Sequence, residues 1–505
     1  MIQRMSSQMF FGANAPIVPP IQNTTPAPPT VISDNNTHTL DFTHVLGDTE
    51  ILISVNNGAY TPFDGNVINV GENNRVLGYW KAKIRSANGR NESLPALSPL
   101  FFITQPVITN TINAVIPNSI PYPGYLTPVI DNSFGYDMEI IRISGVEWPS
   151  TDTQYSHGYS KNQRWSSDMA LSKCGDGQIL DGHNFAWKFA LSKQDGGKTI
   201  WSNTSPKKLF GFGANTIEVH TINAGNTANT RSVLIDFTTA AGYDAGYGPS
   251  LMSEGDMSLN DTYTVVQVKR ATIFTYAVCN LQTALIDSFK TKAQIETIIG
   301  CDASGRFDWV SISKSGNYIV ANRVESTDGK GGKWVFNLDW TPVIFGGVQV
   351  NLGTHSHMDF AFDAAGNEVM TKMGIPGYVN LLTGAQTTVI STAVIDAAWG
   401  NNHEGGHSSG TGEAGWGLYS FHSVRSATQI TNNAAQFYPY IVYAKLDGSQ
   451  TYRRFAHARR SEVGANYDNE IKGCISRDGK YVMYDSNWFQ DNTPAKAYIA
   501  RLKVA

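Results

Sequence analysis

Apolar and polar positions alternate in short runs along most of the chain, the period-two signature of strands that bury one face. Among the first hundred residues, Leu40-Asp41-Phe42, Glu50 to Val55, Val67 to Val70 and Tyr79 to Arg85 are predicted strands, and Asn56-Asn57-Gly58 is a hairpin signal. Only Thr291 to Ile299 carries a helical period. The stretch from Ala15 to Thr30 is rich in proline and has no alternation. It is an extended, polyproline-like arm with nothing of its own to fold around, expected to lie against a neighbouring subunit.

From about residue 105 a longer repeat is superposed on the alternation. Ser315 to Val320, Ala365 to Met370, Ala414 to Tyr419 and Asp478 to Met483 each set a glycine turn before an apolar strand. Their glycines, at 316, 366, 415 and 479, stand about 50, 49 and 64 residues apart, a length suited to a four-stranded blade. Weaker copies at Ser167 to Leu171, Ser205 to Phe210 and Asn260 to Tyr263 bring the turns to roughly seven. Units that bury their apolar faces only against neighbours are best served by a closed ring. The expected architecture is therefore all-β: residues 1–29 as the arm, 30–104 as a small immunoglobulin-like β-sandwich, and 105–505 as a β-propeller. Seven blades fit the turns, with six or eight left open. Tyr136 to Ser144 and Ala497 to Val504 are the candidate strands that close the ring, and function is expected in the loops over the central channel.

Composition narrows the partners. The 505 residues carry 38 basic and 42 acidic side chains, a net charge of −4, and only 16% are charged. No basic block stands out, so nucleic acid is not an expected partner. No run approaches the roughly 18 apolar residues that cross a bilayer, so no membrane insertion is expected. Between Met1 and Asn14 no apolar run of signal-peptide length forms, and no secretion signal is expected. Cys174, Cys279, Cys301 and Cys474 form no C-x-x-C pair and are expected to be buried thiols.

Two resemblances follow from particular runs. Gly78 to Ala87, followed by Ser98-Pro99, resembles the late strands of a fibronectin type III or similar immunoglobulin-like module. That likeness implies a spacer or adhesive unit and no chemistry. The runs Tyr159–Asp168, His357–Val369 and Ile475–Trp488 resemble propeller polysaccharide lyases of the ulvan lyase type, over about residues 130 to 500. In such enzymes two histidines, a tyrosine and an arginine remove a proton beside a uronate carboxylate, neutralise that carboxylate and protonate the leaving oxygen. The resemblance implies His157 and His183 as the catalytic histidines, with Tyr159 and Arg164 beside them and Tyr243 or Tyr247 further on. The plainer role for both histidines is to hydrogen-bond loop backbones.

Other side chains carry possible chemistry. His355 and His357 are two apart on an expected strand and share a face, so a divalent cation could sit between them, with Asp359 continuing the row and His403 and His407 adding ligands across the ring. The plainer alternative is that these imidazoles line a wet channel. His403-Glu404-Gly405-Gly406-His407 matches the letters of a zinc-protease motif, but its glycines and the following Ser408-Ser409-Gly410 argue against the helix that motif needs. Trp165, Trp309, Trp416 and Trp488 stand near blade turns and suit sugar stacking, or filling the wedge between blades. Trp165, Arg453, Arg454 and His457 are the candidate glycan contacts, the last three lying in a basic run with Arg459 and Arg460.

Two functions are consistent with these features. The first is a structural or host-attachment component of a virus particle, a bacteriophage tail, fibre or decoration protein. Its propeller would recognise a host-surface glycan, and its arm would contact neighbouring virion subunits. The alternative is an extracellular polysaccharide lyase that cleaves a uronate-containing polysaccharide by β-elimination. The expected lack of a secretion signal favours a virion location, because virion proteins are released by lysis.

Overall fold

The computed structural model describes the strands between residues 30 and 97 and most of residues 120–503. Residues 1–29 and 98–119 and the connections between the early strands lie outside the described residues, as do 133–135, 146–147, 149–157, 193–197, 239–256, 271–272, 355–356, 392–405, 422–439, 460–469, 489–494 and a few single positions. The chain divides into two compact units, Met1–Pro106 and Val107–Ala505.

Seven strands of the first unit pair as two antiparallel sheets. One runs Thr30–Asp34, Thr39–Thr43, Val67–Asn69; the other runs Thr61–Phe63, Thr49–Val55, Trp80–Ser86, Ala96–Leu97. The longest pairing sets Thr49 opposite Ser86 and Val55 opposite Trp80. All four strands expected from the alternation are present, whereas Asn56-Asn57-Gly58 and the proline-rich arm lie outside the described residues.

The second unit is a seven-bladed β-propeller, built from successive antiparallel sheets. Blade 1 comprises Leu171–Cys174, Gln178–Asp181 and Trp187–Ala190, with the segment through Trp165 bridging Ser172 as its innermost strand. Blade 2 runs Lys198–Trp201, Lys208–Gly213, Thr216–Ile222, Asn229–Asp236. Blade 3 contains Tyr263–Arg270, Ile273–Asn280 and Leu285–Thr291. Blade 4 contains Arg306–Ile312, Tyr318–Val324 and Gly332–Asn337, with the hairpin Ile344–Phe345/Val348–Gln349 on its outer side. Blade 5 runs Asp359–Phe362, Glu368–Lys372, Gly377–Asn380, Gln386–Thr388, and blade 6 Gly406–Ser409, Trp416–Phe421, Tyr440–Lys445, Tyr452–His457.

Blade 7 takes Cys474–Ile475, Tyr481–Ser486 and Lys496–Leu502 from the end of the chain and Met138–Arg142 and Val129–Asp131 from the start of the unit. Tyr498 lies opposite Arg142 and Leu502 opposite Met138. The ring is thus closed by the two segments the sequence nominates.

The repeated turn has a local cause. In blade 7 the Ser476 hydroxyl donates to Asp478 at 2.6 Å and accepts from the Tyr481 N–H at 2.9 Å. Ser166, Ser258 and Ser313 bind the equivalent N–H groups of Leu171, Tyr263 and Tyr318. Gly316, Gly366, Gly415 and Gly479 hold φ between 66° and 84° there, a left-handed conformation that glycine adopts without penalty. Apolar side chains collect between blades. Leu171, Phe189, Trp201 and Leu209 join blades 1 and 2; Phe212, Ile217, Val266 and Ala277 join blades 2 and 3; Ile141, Trp165, Met483 and Ile499 join blades 7 and 1. After blade 3 comes the helix Lys292–Ile299, capped by Thr291 with Gln294 and ended by Gly300 at φ 71°, on the stretch where the helical period stands. Cys174, Cys279 and Cys474 are buried free thiols and Cys301 is partly exposed.

A candidate acid-base site at one mouth of the channel

Because strands alternate in direction, every innermost strand enters its blade at the same end of the channel and leaves at the other. Residues just ahead of those strands therefore converge. Tyr159 and Lys161 precede Trp165 in blade 1, His357 precedes Asp359 in blade 5, His407 stands in Gly406–Ser409 of blade 6, and Glu470 precedes Cys474 in blade 7.

The Tyr159 hydroxyl lies 3.0 Å from His357 Nδ1. The rings of His357 and His407 are 4.2 Å apart and tilted by 46°, and Tyr159 meets His407 edge-on at 5.2 Å. His407 Nε2 is 2.9 Å from Glu470 Oε2. His407 is wholly buried, while Tyr159 and His357 remain partly open to solvent. A second ring of bonds holds these groups. Ser408 donates to the His357 carbonyl at 2.7 Å and accepts from Thr371 at 2.7 Å, which joins blades 5 and 6. His357 is held at φ 50°, a conformation costly for a residue with a Cβ. Arg164 donates to the Tyr159 carbonyl at 3.0 Å and to the Gly175 carbonyl at 3.2 Å. A Cβ at Gly158 would lie 2.2 Å from the Arg164 guanidinium, so the loop that presents Tyr159 needs glycine there.

Two lysines of the same region are buried. Lys161 Nζ lies 5.5 Å from the Tyr159 ring centre and 5.7 Å from that of Trp309; Lys333 Nζ approaches Trp309 to 5.9 Å. Burial lowers the Lys161 ammonium well below the ordinary lysine range, against the pull of Asp359, and lowers Lys333 to about 8, against that of Asp308. Burial, and after it the Lys161 charge, pushes His357 down to about 4. His357 is therefore a neutral imidazole at neutral pH, able to accept a proton.

Substituting Lys161 by methionine removes a cation that opposes protonation of His357. The Lys161 charge is one of the causes that hold His357 down, so its loss raises the His357 pKa. Any activity that needs neutral His357 is expected to lose its acid limb at a higher pH in this variant than in wild type. A pH-rate profile against wild type measures it.

The structure distributes the sequence candidates unevenly. His157 and His355 lie outside the described residues. Tyr159 and His357, expected in different roles, meet each other. His183 is exposed in the turn after Gln178–Asp181, and the adjacent Gly182 bonds Ala170 of the serine turn. It therefore stands at the opposite end of blade 1 from Tyr159. Arg164 is buried as a backbone clamp. Trp165 is wholly buried, its Nε1 bonds the Gly182 carbonyl, and its ring stacks 6.2 Å from Tyr481, a wedge between blades 1 and 7. On the outermost strand of blade 6, Arg453 lies over Trp416 at 4.7 Å, while Arg454 and His457 are buried. Burial lowers His457 to about 3, keeping it neutral. Among the described residues no group of three or more His, Cys, Asp or Glu is arranged to hold a metal ion. His407 lies on a strand and not on a helix, while His403 and Glu404 fall outside the described residues. Lys161, Lys333 and Glu470 were not indicated by any local motif.

No protein-family model matches this sequence, and no curated protein matches it. Solved structures similar to it include TolB from Acinetobacter baumannii, 11% identical over 74% of this chain and 75% of that one, with a TM-score of 0.29. The Dos1 propeller is 10% identical over 70% and 85%, TM-score 0.34. A chain of the mitotic checkpoint complex is 10% identical over 72% and 97%, TM-score 0.36. Likeness this loose assigns no activity; the propeller rests on the strand pairing itself. The second unit is thus a closed seven-bladed propeller with a tyrosine-histidine cluster at one channel mouth.

Proposed function

We propose that the propeller acts on uronate-containing polysaccharides by β-elimination, and that the N-terminal unit and arm carry it as a host-attachment component of a virus particle. The observation that carries the chemistry is the Tyr159 hydroxyl on His357 Nδ1 at 3.0 Å, with the buried Lys161 Nζ 5.5 Å from the Tyr159 ring centre. In this scheme His357 Nε2 takes the proton on the carbon beside the uronate carboxylate. The bond to the glycosidic oxygen breaks, its electrons pass to that oxygen, and the Tyr159 hydroxyl protonates it. The His357 Nδ1 proton then returns to the phenolate across their hydrogen bond, leaving neutral tyrosine and neutral histidine. Exchange with water restores the starting tautomer. The charge that builds on the carboxylate is opposed by the potential of Lys333, which at about 8 stays largely charged at neutral pH.

The residue types are those of the ulvan-type lyases, with differences. The paired histidines are His357 and His407, and the matched arginine, Arg164, is buried as a clamp on the Tyr159 and Gly175 carbonyls. For the particle reading, the support is the division of seven early strands into antiparallel sheets of three and four, as a fibronectin-like spacer would have.

The test is ultraviolet absorbance during incubation of the full chain with a panel of uronate polysaccharides. A rise from unsaturated sugar ends, lost in Tyr159→Phe, is expected; a flat wild-type trace across the panel would refute the lyase. Deleting residues 1–28 is expected to abolish assembly, seen as monomer by sedimentation, while leaving the cleavage rate unchanged. Assembly that survives the deletion removes the arm from that role.

A further inference from the structure

Glu470 belongs to none of the roles above, although it holds the innermost histidine of the site. We infer that Glu470 is a positioning residue that acts through His407: it fixes the His407 proton on Nε2, and the ring so held is the wall against which His357 sets its imidazole. This rests on the proposed β-elimination at the same site.

The geometry runs as a chain around the channel mouth. Glu470 in blade 7 accepts from His407 Nε2 at 2.9 Å. His407 in blade 6 faces the His357 ring at 4.2 Å. His357 in blade 5 meets the blade 1 Tyr159 hydroxyl at 3.0 Å. A carboxylate accepts only, so the His407 nitrogen facing it must carry hydrogen. His407 is wholly buried and out of reach of a polymer, so it can serve only by holding its neighbours. Its flank is large: His357 on one face and the Tyr159 ring at the other. An imidazole that flips or changes tautomer here would release both. The charges facing His357 are also mixed. Lys161 and Lys333 oppose its protonation, whereas Glu470 and Asp308 favour it. Glu470 therefore also lowers the cost of the imidazolium that the reaction forms for an instant.

The experiment uses the full chain labelled with ¹⁵N-histidine, with His407→Gln to assign the signal, in wild type, Glu470→Leu and Glu470→Gln. In wild type the His407 proton is expected on Nε2. Leucine removes the acceptor: the tautomer is expected to become mixed, and kcat to fall about tenfold to a hundredfold with KM within about twofold, as for other orienting partners of histidine. Glutamine keeps an acceptor oxygen and is expected to keep the tautomer and recover most of the rate. Should leucine prevent folding, the wild-type tautomer and the glutamine variant still decide. A His407 proton on Nδ1 in wild type, or full kcat and an unchanged tautomer in Glu470→Leu, would overturn the inference. If wild type cleaves no polymer, the elimination reading fails, and the tautomer comparison alone judges Glu470.

Discussion

Replacing Tyr159 with phenylalanine, or His357 with alanine, is expected to lower kcat/KM for polymer cleavage by about 10²- to 10⁴-fold, the range for losing one acid-base group. Tyr159→Phe deletes one oxygen and leaves the edge contact with His407 and the backbone clamp from Arg164. Stability should therefore hardly change, and a melting curve within a few degrees of wild type separates lost chemistry from lost folding. His357→Ala also removes a partner of His407, so a modest fall in melting temperature is expected with it. If the two groups pass one proton between them, the double variant should be scarcely worse than either single one. An additive loss would show that they act separately. His183→Ala supplies the contrast. Its side chain is exposed at the other end of blade 1, and its loss is expected to leave the rate at wild-type level. A large loss in His183→Ala with none in His357→Ala would move the chemistry out of this cluster.

The propeller was legible in the sequence because its marks are local. In blades 4 and 7 a serine, an acidic or polar residue two positions on, and a glycine at positive φ fall within five residues. The hydrogen bonds that close the turn, such as Ser476 to Asp478 and Tyr481, span no more. The turn can be seen without knowing what surrounds it. The closing strands were legible for a similar reason, since an apolar alternating run at each end of a ring has only the other as its partner.

The site was legible only in fragments. Tyr159 and His357 are 198 residues apart, and His407 and Glu470 are 63 apart; ring closure brings them together, and no spacing encodes it. His183 shares a local pattern with catalytic histidines, but strand direction sends its turn to the far end. Burial was also hidden. Trp165, Arg454 and His457 stand in strands packed on both faces, where alternation no longer separates inside from outside. His357, expected on a strand with His355, stands two residues ahead of Asp359–Phe362, and its left-handed φ of 50° is the structural sign that the position is held at a cost.

Removing the closing strands is expected to cost the propeller its fold. A chain shortened to residues 143–505 lacks Val129–Asp131 and Met138–Arg142, so Lys496–Leu502 loses the partner it pairs with from Tyr498 to Leu502. Met138 and Ile140 are fully buried in the cluster shared by blades 5, 6 and 7, and Ile141 packs with Ile499 at the junction with blade 1. Asp131, also fully buried, binds Arg459 at 2.7 Å; deletion would leave that guanidinium buried without its carboxylate. The shortened chain is expected to be insoluble, because an apolar edge strand is exposed at its C-terminal end. Two single substitutions grade the effect. Ile140→Ala should lower unfolding free energy by about 2 to 5 kcal/mol, and Asp131→Ala by about 3 to 5 kcal/mol, each a large share of the roughly 5 to 15 kcal/mol that holds a domain folded. Denaturant melts followed by tryptophan fluorescence measure both. A soluble, cooperatively unfolding 143–505 chain would mean that the blades hold one another without closure, and that the ring is stabilised by its wedges alone.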